Sequence, residues 1–223
     1  MQHLPFYISL VMGLSTFLSV YFLARASSKY TTRILIIATI WLVIQALLGT
    51  SGFYANTQAM PPRFLLAIGP PLLLIISLFA IKNGRNFIDG LNLKTLTILH
   101  VVRIPVELVL FWLFLHKAIP EIMTFEGQNF DILSGITAPI VYYLFIKERI
   151  GMGIMLLWNF VCLVLLINIV STAILSAPFP FQQLAFDQPN VAVLYFPFNW
   201  LPACIVPIVL FSHLVAIRGL LRG

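Results

Sequence analysis

The chain alternates long apolar runs with short polar connectors. Most runs approach the roughly 20 residues that an α-helix needs to cross the hydrocarbon core of a bilayer, although the fifth is short. Seven runs are found, at residues 4–24, 34–55, 64–81, 95–116, 132–146, 152–175 and 199–220. The pattern predicts an all-α polytopic membrane protein with seven transmembrane helices, forming a single domain over residues 1–223.

The basic residues indicate how these helices are oriented. Arg63 and Lys117 are the only two on one side of the predicted membrane. The other side has ten, namely Arg25, Lys29, Arg33, Lys82, Arg85, Lys94, Lys147, Arg149, Arg218 and Arg222. Because cytoplasmic loops are enriched in Lys and Arg, the N-terminus is predicted outside and the C-terminus inside. The first run lacks a preceding basic segment and a small-x-small cleavage site, so we interpret it as a retained span.

Composition supports a membrane location. The chain is 61% hydrophobic and 9% charged, whereas a soluble domain is about 25% charged. The net charge of +6 does not indicate a nucleic-acid partner, because the basic residues are spread between apolar runs. The expected partner is the lipid bilayer. Short cytoplasmic connectors favour a bacterial inner (plasma) membrane, and Cys162 and Cys204 lie within apolar runs and predict no disulfide framework.

The fourth run contains the most informative polar residues, His100, Arg103 and Glu107. At 100° per residue they lie within a 60° sector of one helix face. Charged groups at this depth are costly and usually face a protein interior. Three polar residues of other runs are predicted at about the same level. The candidate substrate-binding or proton-coupling site therefore comprises Gln45, His100, Arg103, Glu107, Asn159 and His213.

Other interpretations of these residues remain open. Arg103 and Glu107 are spaced i, i+4 and could neutralise each other, with the remaining polar groups forming interhelical hydrogen bonds. A metal site at His100, Glu107 and His213 is a weak alternative, because Arg103 would repel a cation. No metal, retinal or other cofactor is expected. The guanidinium of Arg103 would suit a carboxylate or phosphate.

The connector between the fourth and fifth runs is acidic. Glu126, Asn129 and Asp131 could bind Ca²⁺, although their spacing is not that of an EF-hand loop. A simpler interpretation makes Asp131 the N-cap of the fifth helix. The loop at 176–200 is rich in Pro and aromatic residues and suits an interfacial belt.

A weak internal repeat is also visible. Residues 60–82 match the segment 136 positions later at eight of 23 positions. This suggests parallel repeats at 4–82 and 131–218, joined by a linker helix at 95–116. The arrangement resembles SWEET and PQ-loop carriers, but the chain lacks a Pro-Gln motif and is assigned to no family.

These observations predict a small secondary transporter or carrier for a small polar or anionic solute, with proton coupling and alternating access between two three-helix bundles. A membrane-embedded enzyme acting on a lipid or phosphate-bearing substrate is the main alternative, but the sequence favours a non-enzyme. A seven-helix ligand sensor is the third possibility. Such a sensor is not expected to bind retinal, because all four lysines lie at the ends of runs or in connectors. Neither the solute nor the oligomeric state follows from the sequence.

Overall fold

The structure is a computed structural model that describes residues 4–222, in which there are nine α-helices and no β-strand. The helices are α1 (Phe6–Ala26), α2 (Thr31–Thr50), α3 (Leu65–Ala80), α4 (Lys82–Asp89), α5 (Leu93–Leu99), α6 (Arg103–Leu115), α7 (Ile132–Ile146), α8 (Met152–Leu175) and α9 (Val206–Leu220). A 3₁₀ turn, His100–Val102, joins α5 to α6, and a π-helical segment, Leu201–Ile205, leads into α9. The predicted all-α class is confirmed.

Among residues 4–222, five helical segments are long and apolar enough to cross a membrane. They are Phe6–Ala26, Thr31–Thr50, Leu93–Leu115, Met152–Leu175 and Leu201–Leu220. Helices α3 and α4 form a sixth candidate if they are taken as one span broken by a 92° bend, and α7 is shorter than a typical span. The apolar helices are consistent with an integral membrane protein, whereas the seventh span, the topology and the repeat remain predictions.

The centre of the bundle is formed by α9 and the α5–α6 segment. About 61% of the α9 span and 50% of the α5–α6 span are buried, compared with 17% of α2. Helix α1 packs against α5, α6 and α9 and presents buried Ser15, Thr16 and Ser19. Each of these hydroxyls donates to the carbonyl four residues earlier. Small side chains whose polar groups are satisfied within the helix allow such close packing in a membrane.

The fourth apolar run is not one regular helix, contrary to the sequence expectation. The break at His100–Val102 is explained by Pro105, whose ring would clash with the carbonyl of Val101 and which cannot donate a backbone hydrogen bond. The tighter 3₁₀ turn relieves this conflict. His100, within this turn, stacks on His213, whereas Arg103 and Glu107 contact the loop before α7.

The connector between α6 and α7 folds back into the bundle. Ala118, Ile119, Met123 and Asn129 are all buried, and Asp131 lies beside Arg103. Since Arg103 and Leu115 are the ends of α6, the chain returns by about 18 Å along that helix before α7 begins. This return explains why α7 has only 15 residues.

Helix α4 is polar and makes a sharp angle with α3, so we treat it as a surface helix outside the spans. Its last residue, Asp89, accepts hydrogen bonds from Arg218 and Arg222 of the C-terminal segment. The hydrogen bond from Arg218 is the main reason that the pKa of Asp89 is lowered from its usual value, with Arg222 adding to the effect. These hydrogen bonds hold α4 against the end of α9.

Candidate functional site

Arg103 is paired with a carboxylate that comes from the returning loop. Its Nε lies 3.0 Å from Oδ2 of Asp131, and both side chains are almost completely buried. One Nη also lies 3.5 Å from the carbonyl oxygen of Cys162 on α8. The Arg103–Asp131 ion pair therefore joins α6, the start of α7 and α8. The partner of Arg103 is Asp131 rather than Glu107, in contrast to the i, i+4 pairing considered above.

Asp131 does not cap α7. It occupies the N-cap position, as the sequence predicted, but its side chain makes no capping hydrogen bond. A carboxylate gains more from a nearby guanidinium than from a single backbone N–H when both are buried. Gly135, one turn into α7, explains how the helix comes so close. A Cβ at this position would lie 2.8 Å from Ile104 Cγ1 and 3.3 Å from Arg103 Cβ.

Glu107 is held by a neutral partner. Its Oε2 accepts a hydrogen bond of 2.6 Å from the side-chain amide of Asn129. The same amide donates to the carbonyl of Met123, and the Asn129 side-chain oxygen accepts from the backbone N–H of Asp131. Asn129 thus fixes the loop and Glu107 together. Two of the three predicted outer-loop residues therefore belong to the buried site, while Glu126 is exposed.

The two histidines form a separate cluster. The rings of His100 and His213 stack with centroids 3.9 Å apart and planes 18° apart. His213 Nδ1 lies 2.9 Å from the side-chain oxygen of Asn159, and Trp158 packs edge-on against His100. His100 and Asn159 are each the eighth residue of their helical segments, and His213 is the eighth from the end of its own. This equal depth fits α5–α6 and α8 running in one direction and α9 in the other.

Gln45 lies apart from the other predicted residues. Its side-chain oxygen accepts from the hydroxyl of Tyr54, and its backbone carbonyl accepts from the amide of Asn199. Nearby, the indole N–H of Trp200 donates to the carbonyl of Leu42. Helix α2 is thereby attached to the residues that precede α9. The contacts of Gln45 are those of a residue holding two elements together.

The side chains do not assemble a metal centre. Within residues 4–222, no group of three or more His, Cys, Asp or Glu side chains is arranged to hold a metal ion. His100 and His213 stack face to face, and Glu107 is hydrogen-bonded to Asn129 instead. The weak alternative of a metal site at these three residues therefore has no support.

A cavity of about 420 Å³ adjoins the charged cluster. Its walls are formed by α3, α6, α8, the π-helical segment and the beginning of α9, and they are overwhelmingly apolar. The polar and charged residues in its lining are Arg103, Glu107, Asp131, Ser171 and Asn190. The histidine cluster, Asn159 and Gln45 do not line it. The cavity volume is within the range of small-molecule sites in proteins, about 300–1,000 Å³.

The cavity has one weakly closed side. Helices α3 and α8 both pack against α9, yet little direct contact joins α3 to α8. Leu65 of α3 and Ile167 of α8 each line the cavity and are each 54% exposed on the outer surface of the bundle. In a bilayer this face would meet lipid. The cavity is therefore least enclosed between α3 and α8.

The sequence model of DUF8737, a domain of unknown function, matches residues 61–221. The chain belongs to this family. The DUF8737 match begins just before α3 and includes the whole Arg103 and Glu107 cluster, the histidine cluster and all of the cavity-lining residues. Gln45 and helices α1 and α2 lie before it. No curated protein and no solved structure matches the chain.

Asn190 is a buried polar residue of the cavity that was not predicted from the sequence. Asn190 is 1% exposed, its amide donates to the carbonyl of Ala173, and its side-chain oxygen has no hydrogen-bond partner among residues 4–222. It lies in the Pro- and Phe-rich loop that was expected to be interfacial. An isolated Asn in a long connector gives no periodic signal, and only the fold shows that it closes one side of the cavity.

Proposed function

We propose that this protein is a membrane carrier that binds a small amphiphilic molecule in the cavity between α3, α6, α8 and α9. The observation that carries the proposal is the combination of an apolar cavity of about 420 Å³ with buried charged residues in its lining. Ligand sites are typically apolar with a few placed polar groups. A ligand with an apolar body and one polar end would match both parts of this lining.

The cavity supports a different ligand from the polar or anionic solute expected from sequence. That expectation relied on Arg103 being available to an anion, but Asp131 already neutralises its guanidinium. A strongly hydrated solute would also lose its water against the apolar walls without gaining hydrogen bonds in return. An amphiphile entering through the gap between α3 and α8 would avoid that cost.

The arrangement gives less support to an enzyme. A lipid-processing active site at the histidines would need access from the bilayer, but His100 is 1% exposed and His213 is 0% exposed. The hydroxyl of Ser212 donates to the carbonyl of Ile208 and is not paired with a histidine base. Neither histidine lines the cavity. These positions favour binding and movement of a ligand over hydrolysis.

Helix irregularities around the cavity would allow it to open and close. The π-helical segment Leu201–Ile205, Pro207 and the Pro70–Pro71 pair of α3 all interrupt the regular hydrogen bonding of helices at its walls. Alternating access would move α3 relative to α8 and α9. The short connectors and the basic-residue asymmetry support a place in a bacterial inner (plasma) membrane with the N-terminus outside.

The test is ligand binding by the purified protein in lipid nanodiscs. A matched series of straight-chain amphiphiles with neutral, cationic and anionic heads would be compared by thermal unfolding. A compound at one hundred times its Kd raises the unfolding free energy by about 2.7 kcal/mol. Val170→Trp should abolish the shift, because Val170 lines the cavity. The control is Val164→Trp on the same helix, at a residue that is 63% exposed and absent from the cavity lining.

Binding alone would not establish transport, so the same variants are reconstituted in liposomes. Wild type and Val164→Trp should accelerate transbilayer exchange of the bound compound, and Val170→Trp should not. If no member of the series stabilises the wild type more than Val170→Trp, the cavity is not a ligand site and the proposal fails.

A further inference from the structure

We infer that Glu107 is an exchange site, which holds either a proton or the cationic head of the amphiphile in the cavity. The inference rests on the proposed function, because it names the charge of the ligand that the same cavity takes. Three charged side chains line the cavity, and two of them are paired with each other.

Two carboxylates and one guanidinium line the cavity. Arg103 and Asp131 form an ion pair with a contact of 3.0 Å, so their charges cancel. Glu107 is the third group, and its hydrogen-bond partner is the uncharged amide of Asn129. Within the described residues, the cavity lining contains no second cationic side chain. An ionised Glu107 would therefore leave one net negative charge beside an apolar cavity.

The other groups packed around Glu107 do not remove this charge. The charged neighbours of Glu107 are Arg103 on the same helix and Asp131 before α7. His100, Cys162 on α8 and His213 on α9 lie near Arg103. Helix α3 contains no titratable residue, and α1 has no acidic or histidine side chain. The histidines lie outside the cavity lining. Glu107 is 1% exposed, and an unpaired buried charge is costly.

Two events would relieve this cost. A proton on the carboxyl group neutralises it in the absence of ligand. A cationic head, such as an ammonium, neutralises the carboxylate when the ligand is bound. The balanced step is Glu107–COOH plus R–NR₃⁺ giving Glu107–COO⁻·R–NR₃⁺ plus H⁺, so one proton leaves for each cation that binds. An anionic head would instead add a second negative charge to the site.

The pH dependence follows by linkage. Because proton and cation compete for one carboxylate, lowering the pH fills Glu107 with protons and weakens cation binding. Below the apparent pKa of the site, affinity should fall by about tenfold for each pH unit. A neutral amphiphile of the same chain length does not need an ionised Glu107 for binding, so its affinity should not depend on pH. In a carrier this competition would exchange a cation on one side for a proton on the other.

The experiment compares an alkyl trimethylammonium with the corresponding alkyl alcohol in nanodiscs, across a pH series. The quaternary head has no proton of its own, so any pH dependence belongs to the protein. Wild type should bind the cation more tightly as the pH rises and should release about one proton per cation, read with a pH dye in weak buffer. Glu107→Gln should lose the cation affinity, the proton release and the pH dependence, but keep the alcohol affinity. Glu126→Gln, at an exposed residue, is the control.

The outcomes separate the two proposals. If the alcohol binds to wild type while the cation does not bind, or binds without pH dependence and proton release, the exchange site is refuted and the carrier proposal stands. If neither compound binds, the carrier proposal itself fails. If Glu107→Gln does not fold, proton release by the wild-type protein decides, because an anion-binding or neutral site would release none.

Discussion

At the residue scale, Asp131 is the most sensitive position of the buried cluster. Asp131→Asn would remove the charge that neutralises Arg103 and leave the guanidinium in an apolar interior. Breaking a buried ion pair from one side typically costs about 3–5 kcal/mol. We expect a loss of this size in the free energy of unfolding, measured by reversible denaturation in detergent. Glu126→Gln in the same loop is exposed and should have little effect.

A second variant tests whether the loss comes from the unpaired charge. In Arg103→Met/Asp131→Leu both members of the pair are replaced by apolar side chains of comparable size. The double variant should be more stable than Asp131→Asn alone, since a buried ion pair often contributes little relative to good apolar packing. Equal instability of the two variants would show that the loop depends on the shape of these side chains and not on their charge.

The sequence analysis named all four residues of this cluster but assigned them to two separate sites. Arg103 and Glu107 stand out because charges are rare inside an apolar run. Their partners Asp131 and Asn129 lie in a polar connector, where acidic residues and amides are common and give no comparable signal. Periodicity placed His100 and Arg103 on one face, but it could not show that His100 stacks on His213 while Arg103 pairs with Asp131. Long-range pairing between a loop and a helix leaves no local pattern to detect.

At the element scale, the contact between α6 and α7 depends on Gly135. Gly135→Ala would place a methyl group within 2.8 Å of Ile104 Cγ1, so α7 would have to move away from Arg103. Overpacking of this kind costs about 1–3 kcal/mol, and we expect a corresponding fall in unfolding free energy.

Gly13→Ala is the matched control for that substitution. Gly13 also lies within a helix, but a Cβ there meets nothing within 4 Å. Its replacement should range from neutral to about 1 kcal/mol stabilising, because alanine favours the helix. If both variants behave alike, helix propensity accounts for the effect and close packing at Gly135 does not.

The helices were easier to predict from the sequence than the contacts between them. Each of the seven apolar runs contains a helix, because a continuous run has no other way to satisfy its backbone in lipid. The boundaries were less reliable. The run at 34–55 gives a helix that ends at Thr50, so Gln45 lies near its end and not at its middle. The π-helical segment before α9 could not be expected from hydropathy, which does not report backbone hydrogen bonding.

At the scale of the whole molecule, the cavity is a property of packing that no single run encodes. It arises because α3 and α8 both rest on α9 without closing against each other. The walls come from segments that are far apart in sequence, so only the assembled bundle reveals an apolar space beside Glu107. The predicted polar site and the observed cavity therefore share Arg103 and Glu107, while the remaining predicted residues serve other contacts.

The membrane topology depends on whether the short helix α7 crosses the bilayer. If α7 crosses the membrane, seven spans place the two termini on opposite sides, and the connector at 147–151 lies in the cytoplasm. If α7 does not cross, that connector stays on the same side as Glu126. His100 packs against Trp158 and Arg103 lies near the carbonyl of Cys162, so α8 runs in the same direction as α5–α6, and this favours a crossing by the short α7.

Single-cysteine labelling decides between these topologies. In a background where Cys162 and Cys204 are replaced by alanine, Glu126→Cys and Arg149→Cys place one thiol on each connector that flanks α7, both at exposed positions. A membrane-impermeant maleimide should label the first in intact cells and the second only after permeabilisation. Labelling of both in intact cells would mean that α7 does not span and that the prediction of seven transmembrane helices is wrong. A 15-residue helix is about 22 Å long, so its crossing would depend on the returning loop to fill the remaining membrane thickness.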